Sequence, residues 1–302
     1  MTPRHAPAPL PLRDGVAPSY FWLQKGPWRT VLEFLLHRYP QVGDQTWRDR
    51  MRRGEVVDDR GTPLNETSPY FWGRRLFYYR EIAAETPIPF TESVLFQDHH
   101  ILVVDKPHFV PVIPTGRFLH ETLLVRLRQQ YQLPDLTPIH RLDRETAGVM
   151  IFSVNPDTRG QYQALFQLRT VHKEYQALAA RLERCSAPFW HRSRMVPGTP
   201  FFRMEEVDGE PNSETYIEML ESVGQVARYR LTPTTGRKHQ LRVHMAGLGA
   251  PIINDAFYPD ALPCKEDDLS RPLQLLARAI RFTDPINGAQ REFETTLSLK
   301  AD

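Results

Sequence analysis

The run Pro138-Ile139-His140-Arg141-Leu142-Asp143-Arg144-Glu145-Thr146-Ala147-Gly148 sets two acids among two arginines and a histidine. The apolar stretch Val149-Met150-Ile151-Phe152 follows at once and has the pattern of a buried strand. A charged cluster that feeds a buried strand suits the wall of a cleft, where the strand fixes the backbone and the polar side chains reach a ligand. A surface loop with an ordinary ion-pair network is the alternative that these residues alone leave open.

Three further stretches carry unusual polar density: Val171-His172-Lys173-Glu174-Tyr175, Thr234-Thr235-Gly236-Arg237-Lys238-His239-Gln240-Leu241-Arg242-Val243-His244, and Val103-Val104-Asp105-Lys106-Pro107. His239 and His244 are five apart, not the four of a metal-binding helical pair, and no third ligand is evident, so no metal site is expected. His99-His100 has the context of a solvated turn.

The elements that must position these residues follow from periodicity and punctuation. Helices are predicted over 28–39, 45–53, 121–131, 157–168 and 240–247. Strands are predicted over 55–57, 74–80, 94–96, 101–104, 149–152, 171–179, 214–219, 227–231, 273–282 and 291–297. No regular βαβ alternation and no internal repeat are present, which gives an α+β class: a mixed, largely antiparallel sheet flanked by helices and loops. Thr86-Pro87-Ile88-Pro89 is the natural linker. The expected organisation is a flexible Pro-rich lead-in over 1–20, a small domain over 21–90 and a larger domain over 91–302. Two helices followed by small strands, with Arg48, Arg50, Arg52 and Arg53 on one helix, resemble an S4-like RNA-binding module.

Composition sets outer bounds. The chain of 302 residues is 41% hydrophobic and 25% charged, as a globular protein with a real core is. No apolar run is long enough to span a membrane, and the N-terminus lacks a signal-peptide core, so a cytoplasmic protein with no membrane partner is expected. Cys185 and Cys264 lie far apart and are expected as free thiols in a reducing compartment. All but six of the 38 basic residues are arginine, a preference that phosphate and base recognition or a coding bias would equally produce. Residues 1–90 hold 13 basic against 10 acidic side chains, so the basic excess sits in the small domain.

Together the four polar stretches, in this order, resemble the RluA-type pseudouridine synthases. That family carries H-R-L-D-x-x-[ST]-[SAG]-G, then K-x-Y, then T-G-R-x-H-Q-[IL]-R-x-H, and the resemblance covers about residues 91–302. It implies that Asp143 is the catalytic aspartate, which attacks the ribose C1′ of a target uridine or otherwise promotes loss of the base. The uracil then rejoins through carbon. It further implies that Arg237 pairs with Asp143, since a carboxylate in a dry pocket needs an opposite charge to stay ionised. Tyr175 would stack on the base and handle its proton, Leu241 would wall the uracil pocket, and Arg141 would fill the gap left by a flipped nucleotide. His140, Arg144, Lys173, Gln240 and Arg242 would contact RNA or support the loops, with a bracing role favoured for Arg242 and His244. No metal or organic cofactor is implied, because the substrate supplies both fragments. The implied partner is structured ribosomal and/or transfer RNA, met as a stem-loop by a monomer.

The chain departs from the family pattern in three places. Asn254 precedes Asp255 where glycine is usual, Leu275-Leu276-Ala277 replaces a Leu-His-Ala run, and Lys106-Pro107-His108-Phe109 replaces Lys-Pro-x-Gly. None of these is expected to touch the chemistry. A protein-kinase reading of the His-Arg-x-Asp pattern fails, because neither a Gly-rich phosphate loop nor Asp-Phe-Gly is present. A non-catalytic RNA-binding or ribosome-assembly protein is the second reading. Asp143, Arg237 and Tyr175 together argue against it, since binding alone needs no carboxylate among phosphates.

Overall fold

The computed structural model describes residues 8–82, 84–183, 187–262 and 268–300; both cysteines, and with them the expectation of free thiols, lie outside these residues. The chain divides into two compact units. One comprises 1–85 and 116–120, the other 86–115 and 121–302, so the division falls at the Thr86-Pro87-Ile88-Pro89 stretch. Among the described residues no helix is long and apolar enough to cross a membrane.

The first unit joins β1 (Ser19–Trp22), α1 (Val31–Arg38), α2 (Asp44–Arg52), β2 (Val56–Asp58) and β3 (Arg75–Tyr78). Thr30 caps α1 by accepting from Glu33 N–H at 3.1 Å. Val31, Leu32, Phe34 and Leu35 of α1 share one core with Trp47 and Met51 of α2, Val56 of β2 and Leu76 of β3. The three strands form an antiparallel sheet in the order β1-β3-β2. The lead-in is not a free tail where it is described. Tyr79 donates to Pro11 O at 2.9 Å, Arg13 pairs with Glu55 at 2.8 Å, and Ser19–Trp22 adds a sheet strand. The arginines of α2 and Arg53 just after it are also committed: Arg48 to Asp44 and Glu66, Arg50 to Glu81, Arg52 to Asp49, Arg53 to Glu55.

The second unit is built on an eleven-stranded mixed sheet. Its strands are β4 (Ser93–Gln97), β5 (Ile101–Lys106), β6 (Thr137–Pro138), β7 (Ala147–Ser153), β8 (His172–Ala180), β9 (Phe189–Pro197), β10 (Met204–Val207), β11 (Ser213–Val223), β12 (Val226–Pro233), β13 (Leu275–Thr283) and β14 (Gln290–Glu294). Helices α3 (Leu123–Tyr131), α4 (Arg159–Gln167) and α5 (Gln240–Gly247) are interspersed. The main path runs β10-β9-β11-β12-β8-β13-β7-β5-β4, with β14 on β13 and β6 on β7. Every pair is antiparallel except β13 with β7. Strands β5 and β7 are buried along their whole length, as uninterrupted apolar runs demand. Leu241 and Met245 of α5 join a core cluster with Ala177, Ile217, Tyr229 and Leu231 of the sheet. Tyr162 of α4 joins another with Ile101, Val103, Val149, Ile151 and Phe282. Strands β9 and β10 escape sequence reading, because His, Arg and Glu alternate there with half-exposed residues and no apolar face is written into them.

The parallel pair sets the position of the Asp143 loop. Ala277 of β13 pairs with Gly148 on one side and Tyr175 of β8 on the other. Gly148 has φ +113, and a Cβ there would lie 2.2 Å from the carbonyl oxygen of Ala277. Only glycine lets the loop lie this close to the sheet. Gly148→Ala is therefore expected to cost at least about 3 kcal/mol in urea unfolding. Gly288→Ala, with φ +75 and nothing within 4 Å, is expected to cost only about 1 kcal/mol.

Candidate active site

Asp143 leaves the loop between β6 and β7, and its carboxylate is about one-fifth exposed. The loop behind it is pinned by the segment that follows β5. The fully buried Lys106 ammonium donates to the carbonyls of Pro107, Val110 and Arg144 at 2.9, 2.8 and 3.0 Å. His108 Nδ1–H donates to Glu145 O at 2.6 Å, and Arg144 Nε donates to Phe109 O at 2.9 Å. Burial pulls Lys106 down to about 7, and the Glu145 and Asp143 charges act in the opposite sense. Phe109 stands at φ +67, a left-handed position that the family pattern gives to glycine.

The arginine facing Asp143 is Arg242, not Arg237. Arg242 Nη1 lies 3.4 Å from Asp143 Oδ2. The rest of its guanidinium is gripped by Asp255, with Nε to Oδ2 at 2.8 Å and Nη2 to Oδ1 at 2.6 Å. The side chains of Arg242 and Asp255 are each 1% exposed. Burial works against the Arg242 charge, and the hydrogen bonds and charge of Asp255 more than offset it. Asp255 is aimed by the backbone N–H groups of Phe257 and Tyr258, at 2.8 and 3.2 Å. Asn254 before it adopts φ +63, a conformation that asparagine tolerates better than most side chains and that glycine supplies in the family pattern. The departures at Asn254 and Phe109 thus do bear on the site: both keep the backbone turn that glycine would give.

His239, to which no site role was assigned, completes this arrangement. It opens α5 from a left-handed backbone at φ +55. Its Nε2 lies 3.8 Å from Asp143 Oδ2, and its Nδ1 lies 2.9 Å from the Tyr258 hydroxyl. That hydroxyl accepts from Met204 N–H at 2.8 Å. Assigning the Tyr258 hydroxyl hydrogen to Nδ1 puts the imidazole proton on Nε2, facing Asp143. Burial lowers His239 to about 4, against the attraction of Asp143, so the ring is neutral at pH 7. The signal available in the sequence was its place between Lys238 and Gln240 in the T-G-R-x-H-Q stretch.

These groups open onto a cleft of about 420 Å³, within the size range of small-ligand sites. Among the described residues its lining includes Arg141, Arg169, Lys173, Arg237, Lys238 and Arg242 but only one carboxylate, Asp143. Tyr175 and Leu241 give it an apolar wall continuous with the core. Burial, with the Asp143 charge adding to it, pushes the Tyr175 phenol above its usual range and keeps it protonated. Lys173 donates to Thr235 O at 3.1 Å, and burial pulls it down to about 8. Arg141 is exposed at the cleft, and no carboxylate of the described residues pairs with it.

Four other expected contacts take different forms. Arg237 is exposed and donates to Asn212 O at 3.1 Å. Gln240 accepts from Thr235 Oγ1 and Arg237 N and donates to Glu214 O and Thr215 Oγ1, which fills its hydrogen-bonding capacity and makes it a brace. His140 accepts from Ile151 N–H at 3.0 Å and stacks on Phe166 at 4.7 Å, and burial lowers it to about 3, so it carries no charge for a phosphate. Arg144 turns to Glu145 and Phe109 and does not line the cleft. His244 braces α5 through Ser213 Oγ at 3.0 Å, away from Asp143.

The neutral His239 makes a pH prediction. Its folded value of about 4 lies below the ordinary 6.5, so the folded chain binds fewer protons than the unfolded chain between those values. Stability is therefore expected to fall as pH drops from about 6.5 to about 4. His239 supplies at most about 1.4 kcal/mol per pH unit of that slope. Urea unfolding across this window should show a flatter curve for His239→Gln. An unchanged slope would place the titration elsewhere.

A family described as RNA pseudouridylate synthase matches residues 100–247. The chain is 34% identical over 213 residues to the dual-specificity RNA pseudouridine synthase RluA of Vibrio vulnificus, spanning 65% of this chain and 79% of that one. It is 29% identical over 240 residues to an uncharacterized RNA pseudouridine synthase of Synechocystis sp., spanning 77% of this chain and 81% of the relative. Among solved structures, human RNA pseudouridylate synthase domain containing 1 superposes with a TM-score of 0.56 at 27% identity, covering 68% of this chain and 83% of that one. On this similarity the chain belongs to the RluA-type RNA pseudouridine synthases, a family of isomerases.

Proposed function

We propose that this chain converts specific uridines of ribosomal and/or transfer RNA to pseudouridine at the Asp143 cleft. The observation that carries this reading is the charge pattern: one carboxylate, facing a buried arginine, in a lining whose other charged groups are all basic. Such a lining attracts a polyanion, and its lone carboxylate is available for chemistry rather than for balancing phosphate.

The target nucleotide leaves its stack and enters the cleft, since a paired base offers no access to C1′. The uracil ring rests against Tyr175 and Leu241. Arg141, exposed and free of a carboxylate partner among the described residues, reaches toward the strand that the base has left. Asp143 promotes breakage of the N1–C1′ bond, by attack at C1′ or by taking a sugar proton. The released uracil turns in the cleft and C5 bonds to C1′ as the Asp143–C1′ ester bond breaks or, on the proton-abstraction route, as Asp143 returns the sugar proton. A proton leaves C5 and one is gained at N1, so no atom is added or lost overall. The neutral Tyr175 phenol, close enough to Asp143 to feel its charge, is placed to relay that proton. The first unit adds affinity for the surrounding RNA.

Asp143→Asn is expected to abolish pseudouridine formation, measured by tritium release from C5 of labelled RNA. Its RNA affinity should stay within about threefold of wild type, because the cations that meet phosphate are untouched. Turnover retained in purified Asp143→Asn would refute the assignment of the carboxylate.

A further inference from the structure

We infer that the outer face of the β1-β3 sheet in the first unit is a stacking platform for unpaired bases of single-stranded RNA. This rests on the RNA reading above and adds a second binding surface to it. One face of this sheet packs inward through Phe21, Leu76 and Tyr78. The alternate residues point the other way. Tyr20 pairs with Phe77 and Trp22 with Arg75, so these four side chains share the outer face; Phe77 is buried, which leaves Tyr20, Trp22 and Arg75 to present its surface. Tyr20 is 57% exposed and Trp22 55%, and just before β3 Phe71 is 54% and Trp72 66% exposed. Four large aromatics left in water on one small unit are hard to reconcile with folding alone and mark a surface that binds something.

The cations beside these exposed rings favour RNA as the occupant. The Arg75 guanidinium lies 5.1 to 6.0 Å from the ring centres of Phe77, Trp22 and Tyr20, and Arg74 lies 5.4 Å from that of Phe71. Among the described residues no carboxylate pairs with Arg74 or Arg75, while Arg48, Arg50 and Arg52 of α2 and Arg53 after it are all held by acids. Free positive charge and accessible rings therefore coincide on the sheet, not on the helix. Rings two residues apart on a strand are about 7 Å apart. That is roughly twice the 3.4 Å step of stacked bases, so the rings can take successive bases of an opened strand but not of a duplex.

The test uses the full chain and two probes, a single-stranded oligouridylate of about twelve nucleotides and a duplex of the same length. The single strand should quench tryptophan fluorescence on binding. Trp22→Ala and Trp72→Ala should each weaken its binding by about tenfold, with thermal unfolding unchanged. Trp22→Phe should restore binding, since the ring is retained. Arg75→Ala should lower the slope of log affinity against log salt by about 0.7. Unchanged affinity in both alanine variants would overturn the inference. So would equal losses on the duplex, or a finding that the same substitutions abolish self-association in sedimentation, which would make the face a contact for a second copy. Such failures leave the cleft assignment standing, because that assignment is judged by turnover in Asp143→Asn.

Discussion

One guanidinium is shared by two carboxylates, and the site depends on that sharing. Arg242 is fully buried, and its charge is sustained by the two-point grip of Asp255. Taking such a pair out of water costs several kcal/mol per ion, and breaking it by removing one partner costs about 3–5 kcal/mol. The geometry is correspondingly over-determined. Asp255 is oriented by two backbone N–H groups, and the guanidinium lies 4.8 and 5.5 Å from the ring centres of Phe257 and Tyr258. Tyr258 in turn orients His239. What this network leaves free is one edge of the guanidinium, Nη1, and it faces Asp143. The Asp143 carboxylate thus meets a fixed positive charge and a neutral imidazole edge, while 21% of it stays open to the cleft.

The opposite side of the cleft is held by backbone rather than charge. Lys106 and His108 take consecutive carbonyls of the loop, Arg144 and Glu145, and Gly148 brings the chain against Ala277. Ala277 also pairs with Tyr175, so the sheet register sets the separation between the carboxylate loop and the tyrosine. A rigid sheet and a pinned loop are what placement of a reacting group to within fractions of an ångström requires.

Much of this was legible in the sequence, and the rest has physical reasons for being hidden. The apolar run of β7 and the polar stretch before it announce a buried strand and a functional loop without any tertiary information. The helix over 240–247 is legible, but whether Arg237 before it or Arg242 within it turns to Asp143 is not. That choice depends on the left-handed turn at His239, which no propensity for histidine would suggest. The family resemblance implies Arg237 as the partner of Asp143 and leaves Arg242 as a brace, whereas Arg242 is the one that faces Asp143. Asp255 was hidden because its role arises from a loop that comes against α5 only in the folded chain. The two missing family glycines looked incidental, yet Asn254 and Phe109 keep the same backbone sign at φ +63 and +67. In the first unit the helix arginines stand out in the sequence by their number, and only the fold reveals that acids neutralise them while no carboxylate of the described residues pairs with Arg74 or Arg75.

The most direct test of this account is to compare single-turnover rates of pseudouridine formation, at saturating RNA, for Arg242→Lys and Arg237→Ala. A lysine keeps the charge of Arg242 but cannot hold Asp255 with two nitrogens and present a third to Asp143. The account predicts that Arg242→Lys slows the chemical step by about a hundredfold or more. Arg237→Ala should leave that step within about threefold of wild type and act on RNA affinity instead. A chemical step lost in Arg237→Ala and preserved in Arg242→Lys would contradict it.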